Sequence, residues 1–160
     1  MKFRTATLVH QGGETFSAKT GTGRTYVFGD VLAKNEYSPV ESILASLASC
    51  TAMDAITILE KKRQVIERYE IEAQALQRTE YPQVLTEVEI VHVVEGPVLL
   101  EQAVRRAIEL SATKYCPVNA MLAAGDVRIE HRYRLEPAAG EPVEAVVVIV
   151  GPRGGVEVVG

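Results

Sequence analysis

The stretch 38–63, SPVESILASLASCTAMDAITILEKKR, carries the longest helical pattern in the chain. Ile43, Leu44 and Leu47 recur at helical spacing, while Ala45, Ala48, Ser49, Thr51, Ala52 and Ala55 keep the other faces small rather than charged. This pattern predicts a helix buried nearly all round, with Cys50 at its middle. Its start is predicted by a Ser38 hydroxyl cap, Pro39 at the first helical position and Glu41 reaching back to complete a capping box. Charge returns at Asp54 and then at Glu60, Lys61, Lys62 and Arg63, and the three basic residues suit the negative end of the helix dipole.

Before this helix, residues 3–10 (FRTATLVH) have the alternating, β-branched character of a strand, and Gly12-Gly13 signals a turn. Residues 15–19, the Thr20 to Gly23 turn and residues 25–28 continue an antiparallel meander. Gly29-Asp30 closes it and residues 31–37 form a connector. After the helix, Tyr69, Ile71, Ala73 and Ala75 alternate with Glu70, Glu72 and Gln74, the period of a half-buried strand. Tyr81-Pro82 breaks it, and residues 84–95 form the next strand, so the two make a second hairpin.

Leu99, Leu100, Ala103, Val104, Ala107, Ile108 and Leu110 draw the apolar stripe of a second helix. Residues 111–115 lead to Cys116-Pro117, where proline disfavours helical geometry at the cysteine and opens a short new helix, so Cys116 is expected at an N-cap. Residues 127–135 are a closing strand, followed by a break at Pro137 to Gly140. In the tail, VVVIV and VEVV flank the Gly151 to Gly155 turn. An exposed edge there would be an aggregation hazard, so this added hairpin is expected to pair with the sheet or with a partner subunit. The order predicts an α+β domain over 1–137 with a C-terminal extension over 138–160.

At 160 residues the chain is long enough to bury about two thirds of its unfolded surface. A net charge of -4 gives no electrostatic ground for binding nucleic acid. The first residues, MKFRTATLVHQGG, lack the apolar core of a leader, and no apolar run approaches the about 20 residues that span a bilayer. A cytoplasmic chain with no membrane partner is expected. The two cysteines lie outside any CxxC or Cys/His spacing, which predicts neither a zinc site nor, in a reducing compartment, a structural disulfide. No cofactor is expected.

Two buried, unreactive thiols are the plainest reading of Cys50 and Cys116. A reactive thiol must ionise. Cys116 at a helix N-cap has amide dipoles to stabilise its charge, whereas Cys50, in mid-helix, needs a cation from elsewhere. Arg4 and Arg24 in the N-terminal strands are the candidates, each otherwise an ordinary surface arginine. His10, His92 and His131 show no spacing that marks a base or a metal site and are assigned structural roles.

The segment SPVESILASLASCTAMD with LEKKR, and ELSATKYCPV further on, resemble the two cysteine-bearing motifs of the OsmC/Ohr superfamily, the osmotically inducible and organic-hydroperoxide-resistance proteins. The resemblance, to a divergent OsmC-like branch, runs from the N-terminal strands to about Leu135. It implies an OsmC-like fold in an intertwined homodimer, with central helices enclosed by sheets and active sites at the interface. It also implies a thiol-dependent peroxidase in which Cys50 is oxidised by an organic hydroperoxide to a sulfenic acid and Cys116 resolves it to a disulfide. A thiol or dithiol reductant completes the cycle. In the family's peroxidases the helix opens with proline followed directly by a glutamate that orients an arginine from the first strand turn. Here Val40 follows Pro39, Glu41 is turned about 100° around the helix, and the turn Gln11-Gly12-Gly13-Glu14 has no basic residue. Glu41, Arg4 and Arg24 are the residues left to support Cys50. The same differences motivate a second reading, a non-catalytic OsmC-like dimer that binds a small apolar ligand at its interface.

Overall fold

Short β-branched runs punctuated by glycine build the N-terminal part of the computed structural model, which describes residues 2–29, 36–136 and 141–160. The chain divides into two units, residues 1–43 and residues 44–160. In the first, β1 (Ala6–Gly12), β2 (Thr15–Thr20) and β3 (Thr25–Phe28) form an antiparallel meander in that order. Gly12 and Gly13, at φ 117° and 54°, supply the left-handed backbone that its first turn requires. The first strand begins at Ala6 rather than Phe3, whose side chain is exposed. Tyr37 adds a parallel bridge to Phe28. The expected closure at Asp30 and most of the connector that follows lie outside the described residues.

The long helix α1 (Pro39–Lys61) opens in the first unit and continues into the second. The Glu41 amide donates to Ser38 Oγ at 3.4 Å, which is half of the expected capping box. Among the described residues, no hydrogen bond runs back from Ser38 to the Glu41 carboxylate. The expected all-round burial is also corrected. Leu47, Thr51, Ala55 and Leu59 are buried, one stripe at a spacing of four, while Met53 on the same helix is 69% exposed. Small residues permit close approach on every face, but a single chain covers only one. By length and composition alone α1 is also apolar enough to cross a membrane, which the sequence reading did not anticipate. The core helix of a globular protein has the same property.

In the second unit, β4 (Arg68–Gln77), β5 (Leu85–Glu95), β6 (Arg128–Glu136), β7 (Val143–Val150) and β8 (Val156–Val158) form one sheet in sequence order. Every neighbouring pair is antiparallel except β5 and β6. Parallel neighbours need a long crossover. It is supplied by α2 (Glu101–Leu110), a π-helical turn (Ser111–Tyr115) and α3 (Pro117–Ala123). Strand alternation turns Ile129, His131, Tyr133 and Leu135 of β6 inward, where they join Ala103, Val104, Ala107 and Ile108 of α2 in the core. The outward positions carry charge: Arg134 bridges Glu72 and Glu144, and Arg132 bridges Glu130 and Glu144. Ion pairs in such solvated positions contribute about 0–1 kcal/mol each, so the stability of the sheet comes from its other face. Of the two partners expected for the tail, the sheet is the one found: Val150 pairs with Ile129, and β8 pairs with β7. The expected break at Pro137 to Gly140 lies outside the described residues.

Candidate functional site

A π-helical turn brings the two cysteines of the second unit together. The Cys116 amide donates to the Ser111 carbonyl at 2.9 Å, a closure five residues long that inserts one residue beyond α-helical spacing. Pro117 cannot continue that pattern, so the chain turns extended at Cys116 (φ -73°, ψ 105°) and restarts as α3. Cys116 is an N-cap, as expected, and its Sγ accepts from the Asn119 amide at 3.3 Å. On α1, Asp54 follows Cys50 by four residues and shares its face. The Cys50 Sγ, the Cys116 Sγ and an Asp54 carboxylate oxygen all lie within 4.8 Å of one another. Both cysteines are free thiols, Cys50 half-buried and Cys116 buried.

The electrostatics of Cys116 differ from the expectation. Burial, reinforced by the neighbouring Cys50 thiol, pushes its pKa up to about 12 against the opposing pull of the Asn119 amide. The N-cap dipoles on which the sequence argument relied are present and outweighed. Asp54 is held from the other side. Its Oδ2 lies 3.2 Å from Ser111 Oγ, which sits 2.9 Å from Thr51 Oγ1, and both Ser111 and Thr51 are fully buried. Thr51 donating to Ser111, and Ser111 to the carboxylate, satisfies all three groups and fastens α1 to the π turn.

Behind Cys116 runs a buried polar chain. Asn119 donates from Nδ2 to the Ala112 carbonyl at 2.8 Å, and its Oδ1 lies 2.9 Å from His131 Nε2. An amide oxygen only accepts, so the His131 proton sits on Nε2. The His131 ring lies 5.9 Å from that of His92, whose Nδ1 is 2.7 Å from the Tyr69 hydroxyl. Burial lowers the pKa of His131 to about 4; burial and the adjacent His131 hold His92 well below its usual value. The two rings are therefore neutral at pH 7. His10 instead lies exposed on β1, 3.0 Å from the Gly13 carbonyl.

Of the residues singled out in the sequence, Cys50 and Cys116 are brought together. Arg4 lies exposed in the extended segment before β1, Arg24 lies exposed in the turn between β2 and β3, and Glu41 is exposed in the first turn of α1; all three belong to the first unit. The sequence reading passed over Asp54, Ser111 and Asn119. For Asp54 a signal was present, its spacing of four from Cys50. For the others there was none, because their roles depend on the π turn.

The family described as OsmC-like protein matches residues 32–132. Protein YhfA of Escherichia coli K12 is 33% identical over 126 residues, which is 79% of this chain and 93% of YhfA. A hypothetical protein from Aquifex aeolicus VF5 has a solved structure that aligns with a TM-score of 0.77 at 28% identity, over 87% of this chain and 100% of that one. An organic hydroperoxide resistance protein from Elizabethkingia anophelis shares the fold, with a TM-score of 0.61 at 14% identity over 86% of this chain and 97% of its own. With its α+β fold and both cysteine motifs in place, the chain belongs to the OsmC-like family.

Proposed function

We propose that this protein is a thiol-dependent peroxidase that reduces organic hydroperoxides through a Cys50 sulfenic acid and a Cys50–Cys116 disulfide. The observation that carries this reading is the convergence of two thiols, distant in sequence, to within 4.8 Å beside an apolar core. Cys50, the more accessible, attacks the terminal peroxide oxygen as thiolate; the O–O bond breaks and the alcohol leaves with a proton. Cys116 then attacks the Cys50 sulfur, the S–O bond breaks and water leaves. With its raised pKa, Cys116 must lose its proton as it attacks, and the neighbouring Asp54 carboxylate is placed to accept it. An external thiol or dithiol returns two electrons and two protons. Cys50 itself packs against the apolar core, surroundings that favour an organic peroxide over hydrogen peroxide. Membership in the OsmC-like family, and a shared fold with a protein named for organic hydroperoxide resistance, support a redox role.

Treating the reduced protein with one equivalent of cumene hydroperoxide tests this. The expected result is loss of both thiols and an intact mass lower by about two hydrogens, as disulfide formation requires. Thiols unchanged over minutes reject the cycle and leave the non-catalytic, ligand-binding dimer. Reactive thiols of this kind persist in a reducing compartment, and the reading assigns the protein to the cytoplasm.

The same reading includes a homodimer, motivated by the apolar residues that α1 leaves uncovered, Ile43 at 44% and Met53 at 69% exposure. Burying a methionine contributes about 1.5–3 kcal/mol, and a two-fold interface counts it twice. Met53→Glu is therefore expected to shift the sedimentation of the protein from dimer toward monomer. An unchanged dimer would show that this face lies outside the interface.

A further inference from the structure

Spacing along the chain argued against a metal site, since neither cysteine has a second ligand in a metal-binding motif. In the folded chain, however, two sulfurs and one carboxylate oxygen lie within 4.8 Å of one another. They come from elements that are already fixed: Cys50 and Asp54 from successive turns of α1, and Cys116 from the cap of α3. Asp54 is oriented by Ser111, itself bonded to Thr51, which is the kind of outer hydrogen bonding that holds a ligating carboxylate in place. In a tetrahedral zinc site, Zn–S bonds of about 2.3 Å and Zn–O bonds of about 2.0–2.2 Å put the ligand atoms less than 4 Å apart. Only a small inward adjustment of the three side chains is needed.

We propose that Cys50, Asp54 and Cys116 form a three-ligand site for a borderline-soft divalent cation of the zinc class, with solvent in the fourth position. The ligand chemistry selects that class. Calcium and magnesium take oxygen ligands and reject thiolate, while cuprous ion gains little from the carboxylate; zinc and its surrogate cobalt(II) accept both donor types. Binding is not a redox step. Two S–H bonds are lost, two metal–thiolate bonds form, and two protons are released for each ion bound. The occupied site holds both sulfurs apart on one cation, so the metal-bound and disulfide forms exclude each other. Zinc occupancy is thus a reversible block on oxidation of the dithiol. The site rests on the geometry of the reduced thiols alone and holds whether or not the protein turns over peroxide.

Titrating the reduced full-length protein with cobalt(II) tests it, away from any peroxide. The expected result is one equivalent bound per chain, with a thiolate-to-metal charge-transfer band in the near ultraviolet, tetrahedral d–d bands in the visible, and two protons released to an indicator dye. Added zinc should bleach the bands, and protein blocked with N-ethylmaleimide should develop none. Cys50→Ser and Cys116→Ser should each remove about half of the charge-transfer intensity, since each removes one of two thiolates. Asp54→Asn should keep that intensity, shift the d–d bands and weaken binding by roughly tenfold or more. Absence of a charge-transfer band in the unmodified reduced protein overturns the site. A wild-type spectrum and affinity in Asp54→Asn overturn the third ligand, and with it the site as proposed.

Discussion

Cys50→Ser is expected to abolish peroxide turnover, lowering kcat/KM by roughly three orders of magnitude or more, because removal of a nucleophile leaves only binding and positioning. Cys116→Ser is expected to fail differently. It should complete one round of oxidation, accumulate the Cys50 sulfenic acid and stop. Dimedone should then add to it stoichiometrically, whereas wild-type protein, which closes its disulfide, should give little adduct. Both variants are suited to the comparison because neither removes a packing group of any size. Cys116 is an N-cap that accepts the Asn119 amide through its sulfur, and serine is among the preferred residues for that position. Steady turnover by Cys50→Ser would sink the assignment of Cys50. Continued multiple turnover by Cys116→Ser with small-molecule thiols would show that resolution does not pass through Cys116. The proposed division of labour fits the surroundings of the two sulfurs: Cys50, assigned to the peroxide, is half-buried, and Cys116, assigned to resolution, is buried and only a few ångströms away.

The parts of this site that the sequence discloses are those fixed by local chemistry. Cys-Pro announces an N-cap because proline dictates the conformation of the residue before it, and Cys116 is found there. The strand alternation from Tyr69 to Ala75 and the apolar stripe of α2 are legible for the same reason. The π turn is not. SATKY contains neither glycine nor proline, and the extra residue exists because Pro117 stops the helix while Cys116 still donates to Ser111. The parallel pairing of β5 with β6 is equally silent, since alternation identifies a strand but not its neighbour. The acidity of Cys116 is misread when argued from position alone: dipoles follow from local geometry, whereas desolvation depends on what packs over the sulfur. His92 and His131 lie 39 positions apart on separate strands. Only the sheet register, which sets His92 opposite Tyr133 and His131 opposite Ile90, puts both imidazoles on the same inward face.

That buried pair makes stability fall in mild acid. An unfolded histidine titrates near 6.5, while burial holds His131 at about 4 and His92 well below its usual value. The folded pKa values are depressed, so between about pH 4 and 6.5 the unfolded chain binds more protons than the folded one. The contribution of the neutral rings is complete above about pH 6.5 and is lost as the pH falls through that window. For His131 alone the full span is on the order of 3 kcal/mol, of which about 1 kcal/mol is lost by pH 5.5. Carboxylates act lower. Arg134 holds Glu144 below the ordinary glutamate value of 4.5, and Arg128 and Arg132 hold Glu130 below it against the opposing effect of burial. Urea unfolding at pH 7.5 and 5.5 therefore isolates the histidines. His131→Gln is the decisive variant, because its amide nitrogen can still donate to Asn119 Oδ1 while nothing at that position titrates. It is expected to unfold at a lower urea concentration than wild type at pH 7.5, yet to lose less on going to pH 5.5. An unchanged difference between the two pH values would assign the acid sensitivity to other groups. The same bond ties His131 to the site, since Asn119 joins it to the Cys116 sulfur: a second proton on His131 falls on Nδ1, which has no hydrogen-bond partner among the described residues, while Nε2 keeps its bond to Asn119.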